Sequence, residues 1–336
     1  MNWKTIDWKA LERMRTGFLA GTAGAQDFWQ TEGDLASYDA TFAQRIGWKW
    51  DYVLAELSRR GWTPPGGDAL DWGCGSGIAH RAFLDHFGAE SVAQVHLWDR
   101  SSLALQFAAR RAREKYSKLS VNVGLIEKPS LVLISHVLTE LEPAKVEELA
   151  DFAAQATTVI WVEPGTYEAS LTLIAIRERL RDRLRVVAPC THQERCGILA
   201  PGNERHWCHH FAPSPQEIFM DGNWARFAVI AGVDLSSLPV SFLVLDRRPE
   251  PALPIGATRV IGTPRVYKPC ARILGCDSTG VRERTLNKRT HPDEFRQIKK
   301  DKCEPLQVWE CDGDVITQAK PLFASEEPTD VTDEAP

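Results

Sequence analysis

The chain has 336 residues, 43% hydrophobic and 25% charged, with a formal net charge of -5. These values predict one large α/β domain with an appendage, or two modest domains, of ordinary globular composition. No apolar run approaches the ~20 residues of a membrane span, and the opening Met1-Asn2-Trp3-Lys4-Thr5-Ile6-Asp7-Trp8 has no apolar signal core, so a cytoplasmic protein without membrane contact is expected. Eight cysteines are too few for a disulfide scaffold, and a reducing compartment points their chemistry towards ligation.

Residues 1–66 predict an N-terminal helical region. Trp8 to Met14 and Trp48 to Leu57 both carry apolar residues at three- and four-residue spacing. Trp62-Thr63-Pro64-Pro65-Gly66-Gly67 breaks the pattern and hands over to a sheet domain expected over 67–248. Its first strand, Ala69 to Trp72, runs into Asp71-Trp72-Gly73-Cys74-Gly75-Ser76-Gly77, and a helix from Ile78 to Phe87 follows. Glycines at alternate positions let the backbone turn tightly and approach a ligand, while the next helix presents free N–H groups. After a second strand, Val92 to Trp98, comes Asp99, 22 residues beyond Gly77. That is where nucleoside-binding α/β folds place the carboxylate that takes the ribose hydroxyls.

Leu131 to Leu138 is a nearly unbroken apolar run, as a strand covered on both faces should be. Thr158 to Gly165 is the next strand, a helix from Ala169 to Arg185 follows with arginines at 177, 179, 181, 183 and 185, and Leu184 to Ala188 is a further strand. Gln216 to Gly232 predicts a helix, and Ser241 to Asp246 closes the sheet. Seven apolar strands with intervening helices make a doubly wound sheet.

A cysteine-rich insertion, 188–215, interrupts this alternation. Cys190, Cys196 and Cys208 fall there with His192, His206, His209 and His210, in a Pro/Gly-bearing loop with little apolar content of its own. Ligation by thiolates is one way to order such a loop. On spacing alone zinc and an iron–sulfur cluster both remain open: paired C-x2–4-C knuckles are absent, and clusters tolerate irregular spacing.

Arg247 to Pro254 predicts a linker. Residues 256–302 predict a small basic β appendage, since Arg259 to Lys302 holds 12 Lys/Arg against 5 Asp/Glu. Arg259, Arg265, Lys268, Arg272, Arg282, Arg284, Lys288 and Arg289 form its densest run, suited to RNA phosphates or to a solvated face. Residues 310–336, with 8 Asp/Glu against one Lys, predict a disordered acidic tail.

The loop Asp71-x-Gly73-x-Gly75-x-Gly77 between strand and helix, with Asp99 after the next strand, resembles the S-adenosylmethionine (SAM) loop of class I methyltransferases. Glu163-Pro164-Gly165, Ala188-Pro189-Cys190-x-His192, Cys196, Trp207-Cys208-His209, Gly262-Thr263-Pro264 and Cys276-Asp277-Ser278-Thr279-Gly280 occur in that order. As a set, over about residues 65–300, they resemble the ribosomal small-subunit methyltransferase-like family, whose mitochondrial members assist assembly of the small ribosomal subunit. The resemblance implies a class I α/β fold with a seven-stranded Rossmann-like sheet and SAM held through Asp71, Gly73, Gly75, Gly77 and Asp99. It also implies a [4Fe-4S] cluster on Cys190, Cys196, Cys208 and Cys276, with Cys270 the competing fourth ligand and zinc the alternative metal. The implied partner is small-subunit rRNA, with no DNA expected.

The chain departs from the family pattern where His210-Phe211-Ala212-Pro213-Ser214-Pro215 stands in place of basic residues. Val121-Asn122-Val123-Gly124 also lacks an acidic residue for the adenine amino group. The Asp/Asn-Pro-Pro-aromatic signature of base-amine methylation is absent too. Ser135-His136-Val137-Leu138 occupies its place and leaves His136 as the candidate base, with a satisfied core histidine as the competing reading. Three functions follow: an rRNA-facing methyltransferase-like factor, a non-catalytic assembly or iron-sensing scaffold, and a small-molecule methyltransferase with a structural zinc.

Overall fold

A computed structural model of the chain describes residues 2–19, 29–249, 251 and 253–323, and divides into two compact units, 1–251 and 252–336. The first begins with three helices, α1 (Trp8–Leu19), α2 (Glu32–Tyr38) and α3 (Gln44–Arg59). Thr31 caps α2 in a reciprocal box with Asp34, which satisfies two otherwise orphaned N–H groups. Along α3, Trp50, Val53, Leu54 and Leu57 recur at helical spacing and are fully buried, so this helix packs on the sheet rather than lying beside it.

The sheet domain then alternates through β1 (Asp68–Trp72), α4 (Ile78–Phe87), β2 (Gln94–Trp98), α5 (Ser102–Lys115), β3 (Ser120–Val123), β4 (Leu131–Ser135), α6 (Pro143–Ala153), β5 (Thr158–Pro164), α7 (Tyr167–Leu180) and β6 (Arg185–Ala188). It finishes with β7 (His210–Ala212), α8 (Glu217–Met220), α9 (Gly222–Ala231) and β8 (Leu238–Asp246). The strand order is β3-β2-β1-β4-β5-β8-β6, with β7 paired to β8 as an eighth strand. The sequence predicts seven; the extra one is the exit of the cysteine loop. Strands β1 to β5 run parallel, and β8 inserts antiparallel between β5 and β6. Chain order reverses between β1 and β4, so a crevice opens at their carboxyl ends, where open α/β sheets bind ligands.

Two core clusters cover the faces of the sheet. One is built on Trp50, Leu54, Phe83 and Leu133, the other on Val132, Leu149, Trp161 and Leu180. Two predicted helices end differently. The expected Gln216–Gly232 helix is split at Asp221, whose carboxylate accepts from Asn223 N–H and starts α9 afresh. The expected Ala169–Arg185 helix stops at Leu180, and residues 181–184 turn the chain into β6.

The second unit comprises β9 (Ala257–Val266), β10 (Cys270–Asp277), β11 (Gly280–Asn287), α10 (Pro292–Lys299), β12 (Leu306–Asp312) and β13 (Val315–Pro321). Its five strands close as β9-β10-β11-β13-β12, with β11 parallel to β13 and a helix between the third and fourth strands. That topology is the oligonucleotide/oligosaccharide-binding (OB) barrel. Val260, Ile273, Leu286, Trp309 and Ile316 fill it, and a Cβ at Gly275 would overlap the Trp309 ring. The acidic tail expected from 310 is corrected here. Residues 310–312 and 315–321 belong to β12 and β13, joined by a turn at Gly313-Asp314, with Ile316 buried in the barrel; 324–336 lie outside the described residues.

Candidate functional site

At the carboxyl ends of β1, β2 and β4 lies a cavity of about 140 Å³, lined by Gly73, Cys74, Gly75, Trp98, Asp99, His136 and Glu140 and walled by Phe18, Trp29, Tyr38 and Trp72. Backbone geometry builds its floor. Gly73, Gly75 and Gly77 have φ of 67°, 51° and 86°, a region that costs other residues strain. Cys74 N–H donates to Trp98 O at 3.0 Å, tying the loop to the end of β2. Asp99 then accepts from Gly75 N–H at 2.8 Å and Ser101 N–H at 2.9 Å. Burial raises its carboxyl above the usual range, while those two N–H groups oppose the shift.

Of the five positions predicted for the cofactor, Gly73, Gly75 and Asp99 line the cavity, whereas Asp71 and Gly77 stand behind it. Asp71, fully buried, meets His80 Nδ1 at 2.7 Å and accepts from His80 N–H at 3.3 Å; its second oxygen has no hydrogen-bond partner. A Cβ on Gly77 would overlap the His80 ring. The leading acid of the motif therefore holds the loop through a histidine on α4.

His136 lies at the cavity with φ 55°. Its N–H donates to Val162 O at 2.9 Å, its Nε2 lies 3.3 Å from Lys49 Nζ, and its Nδ1 lies 3.4 Å from Ser135 Oγ. Burial, then the Lys49 and Arg45 charges, hold the imidazole well below its ordinary pKa, so it is neutral at pH 7. Lys49, only 1% exposed, is itself pushed down to about 7, chiefly by burial and then by Arg45, with Glu163 opposing. Glu163 Oε1 accepts from Val137 N–H at 3.0 Å, Leu138 N–H at 3.3 Å and Trp161 Nε1 at 2.8 Å, which fixes the turn after β4. Burial raises Glu163 to about 7 against those three donors. At the rim, burial likewise raises Glu140 to about 7. Lys49 and Glu140 are additions to the predicted set. For Lys49, a lysine between Trp48 and Trp50 on an apolar helix face is the available signal.

The cysteine loop forms a second site in the same unit. Cys190, Cys196 and Cys208 line one cavity of about 30 Å³ with Ser170, Arg177 and Ser241. Arg177, 2% exposed on α7, donates to Cys190 Sγ at 3.3 Å, Glu194 O at 2.8 Å and His192 O at 3.3 Å. Arg60 donates to Val187 O at 2.7 Å, Pro189 O at 3.0 Å and Cys190 O at 3.1 Å. Ser170 and Ser241 hydroxyls both donate to Cys208 O, at 2.9 and 2.8 Å. Burial pushes the Cys196 thiol up to about 11. Among the described residues no three His, Cys, Asp or Glu side chains converge as a metal-binding group, so the predicted four-cysteine centre is not assembled. Three of its members share a wall, and Cys276 belongs to the other unit. Cys270 and Cys276 lie six residues apart on β10, roughly 20 Å at strand rise, so they are alternatives and not joint ligands.

In the barrel, Arg265, Lys268, Arg272, Arg282, Lys288 and Arg289 are exposed as expected. Arg259, at 1% exposure, and Arg284, at 9%, are instead buried, and Arg284 donates to Gly313 O, so neither is presented to a phosphate. No described helix is long and apolar enough to cross a membrane.

Strand order, the reversed β8 and the glycine loop facing an acid after β2 define a class I SAM-dependent methyltransferase fold. The family model described as mitochondrial small ribosomal subunit Rsm22 matches residues 52–303, and the chain belongs to that family. No curated protein matches the chain. Among solved structures it is similar to magnesium protoporphyrin IX methyltransferase from Synechocystis PCC 6803 with bound SAM, at 16% identity and TM-score 0.39 over 72% of this chain and 98% of that one. Another is a SAM-dependent methyltransferase from Leishmania major, at 16% identity and TM-score 0.34 over 71% of this chain and 83% of that one. A third is precorrin-6y C5,15-methyltransferase from Geobacter metallireducens, at 14% identity and TM-score 0.34 over 59% and 87%.

Proposed function

We propose that this chain is a SAM-binding, methyltransferase-like factor of the small ribosomal subunit that carries a [4Fe-4S] cluster in its cysteine pocket. The observation that carries the SAM half is Asp99: a half-buried carboxylate at the carboxyl end of β2, locked by two N–H groups beside a glycine-floored cavity, suits ribose hydroxyls. Glycine is needed on that floor, since a Cβ on Gly73 would come 2.9 Å from Val137. SAM supplies an electrophilic methyl group, and the protein must offer an acceptor in line with it. Neutral His136 is the imidazole available to take a proton there.

The ribosomal half rests on family membership and on the exposed cations of the barrel, because Arg100 is the one cationic side chain among the described residues lining the SAM cavity. For the cluster, the support is the lining of the cysteine pocket and not an assembled ligand set. Three thiols face one small space, and a buried guanidinium beside Cys190 offsets the negative charge that thiolate ligation brings in. One observation favours a non-catalytic assembly role: both His136 ring nitrogens already have neighbours, Lys49 and Ser135.

The test is purification under anaerobic conditions with iron and labile-sulfide analysis, together with co-sedimentation on small ribosomal subunits. The wild-type chain should be brown and travel with the subunit, and Cys208→Ser should lose iron and sulfide. A colourless protein with one zinc would overturn the cluster, and a chain that stays in the supernatant would overturn the ribosomal assignment.

A further inference from the structure

We propose that the barrel binds a single strand of RNA at its β9–β10 turn, with a base stacked on Tyr267. The choice of RNA rests on the ribosomal reading above; the single-strand and stacking parts rest on the barrel itself.

Tyr267 is 45% exposed and, among the described residues of the barrel, is the exposed aromatic; Phe295 and Trp309 are core. The turn does not use the ring for its own closure, since Tyr267 N–H meets Cys270 O at 2.8 Å through backbone alone. The Arg272 guanidinium sits 5.7 Å from the ring centroid, leaving the tyrosine backed by a cation on one side. Val266 beside it is 43% exposed and extends the apolar surface.

Cations surround this ring in register. Arg265 pairs across the hairpin with Arg272, and Pro269 O accepts from Lys288 N–H at 3.0 Å, which brings Lys288 and Arg289 alongside Lys268. All five side chains are exposed. Glu283 is the carboxylate that Arg265 and Arg272 share, so the patch stays positive. Asp314 and the β12–β13 turn instead meet β11 near Thr285, which pairs with Val315, and Asp314 is matched there by Arg284. An aromatic platform in a cationic groove is how single strands are held without base-edge readout, and the second and third strands of an OB barrel with the loop before them are where such strands lie. A duplex keeps its bases stacked on each other and offers none to Tyr267.

Fluorescence anisotropy of the full chain with a labelled 12-nucleotide oligouridine, and with a duplex of equal length, tests this. Oligouridine should bind better than duplex, and affinity should fall with salt at about 0.7 log units per log unit for each phosphate contacted. Tyr267→Ala should weaken binding roughly 5- to 150-fold, the range for one stacked base, while Tyr267→Phe should restore it. Lys268→Glu with Lys288→Glu should flatten the salt slope. Unchanged affinity in Tyr267→Ala, or a preference for duplex, overturns the proposal. Failure here is separable from failure of the ribosomal reading: a chain that co-sediments with the small subunit but ignores oligouridine loses only the barrel site, whereas one that binds oligouridine through Tyr267 but not the subunit loses only the ribosomal assignment.

Discussion

Lys49 Nζ lies 3.3 Å from His136 Nε2, inside the protein and next to the cavity floored by the glycine loop. With lysine at 1% exposure and its pKa down to about 7, the pair is a neutral amine against a neutral imidazole over most of the alkaline range.

A pH signature follows. In the unfolded chain Lys49 titrates near 10.5, in the folded chain near 7. Between those values the unfolded state binds the extra proton, so this residue makes stability rise with pH from 7 to about 10, and below 7 its penalty is complete. Lys49→Met removes the penalty. Thermal unfolding should show the variant more stable at pH 7, by roughly 2–4 °C for each kcal/mol recovered, with the difference closing by pH 10. A variant less stable at every pH would mean that the amine is held by interactions stronger than its desolvation.

Asp99 and His80 should separate affinity from stability. Asp99→Ala should weaken SAM by about one to two powers of ten in calorimetry, as loss of a charged hydrogen-bonding partner does. His80→Ala leaves the buried Asp71 carboxyl without its imidazole partner, which costs about 1–3 kcal/mol of stability, as an unsatisfied buried polar group does. The measurement that decides is paired calorimetry and denaturant unfolding; equal behaviour of the two variants would dissolve the division of labour between the two acids.

Arg177→Leu should lower the iron content of anaerobically purified protein and loosen residues 190–196, because the guanidinium donates to Cys190 Sγ and to two loop carbonyls. Iron analysis and amide hydrogen exchange over the loop read this directly. Full iron with an unprotected loop would assign Arg177 to loop order alone.

Gly165→Ala should destabilise by about 1–3 kcal/mol, since its Cβ would come 2.7 Å from Val240 N and 2.8 Å from the Pro239 carbonyl carbon. Gly222→Ala, with nothing within 4 Å of the added carbon, is the matched control and should be neutral or stabilising. Urea midpoints that shift equally would show that β8 yields to the methyl.

The glycine loop and Asp99 are legible in the sequence because the backbone there demands particular residues at particular spacing. Lys49 is not: its partner is 87 residues away, and only packing brings α3 over the end of β4. Charge runs mislead in both directions. Arg177 belongs to a row of arginines at alternate positions that nothing in the sequence tells apart, yet the fold turns it into the thiol pocket, while Arg179 and Arg181 pair with Asp151 and Glu178. Glu310, Asp312 and Asp314 give the end of β12 and the turn into β13 the composition of a tail, and the inward residues Trp309 and Ile316 are too widely spaced to outweigh it.

Helix α3 carries Lys49 near one end, and Arg60 follows its last residue. Between them lie about 16 Å of hydrogen-bonded helix, stiff along its axis. Lys49 reaches the wall of one cavity, and Arg60 grips the carbonyls of Val187, Pro189 and Cys190 in the other. These two pockets are thus mounted on one beam, so a displacement along its axis carries the amine at His136 and the carbonyl clamp at Cys190 in the same direction.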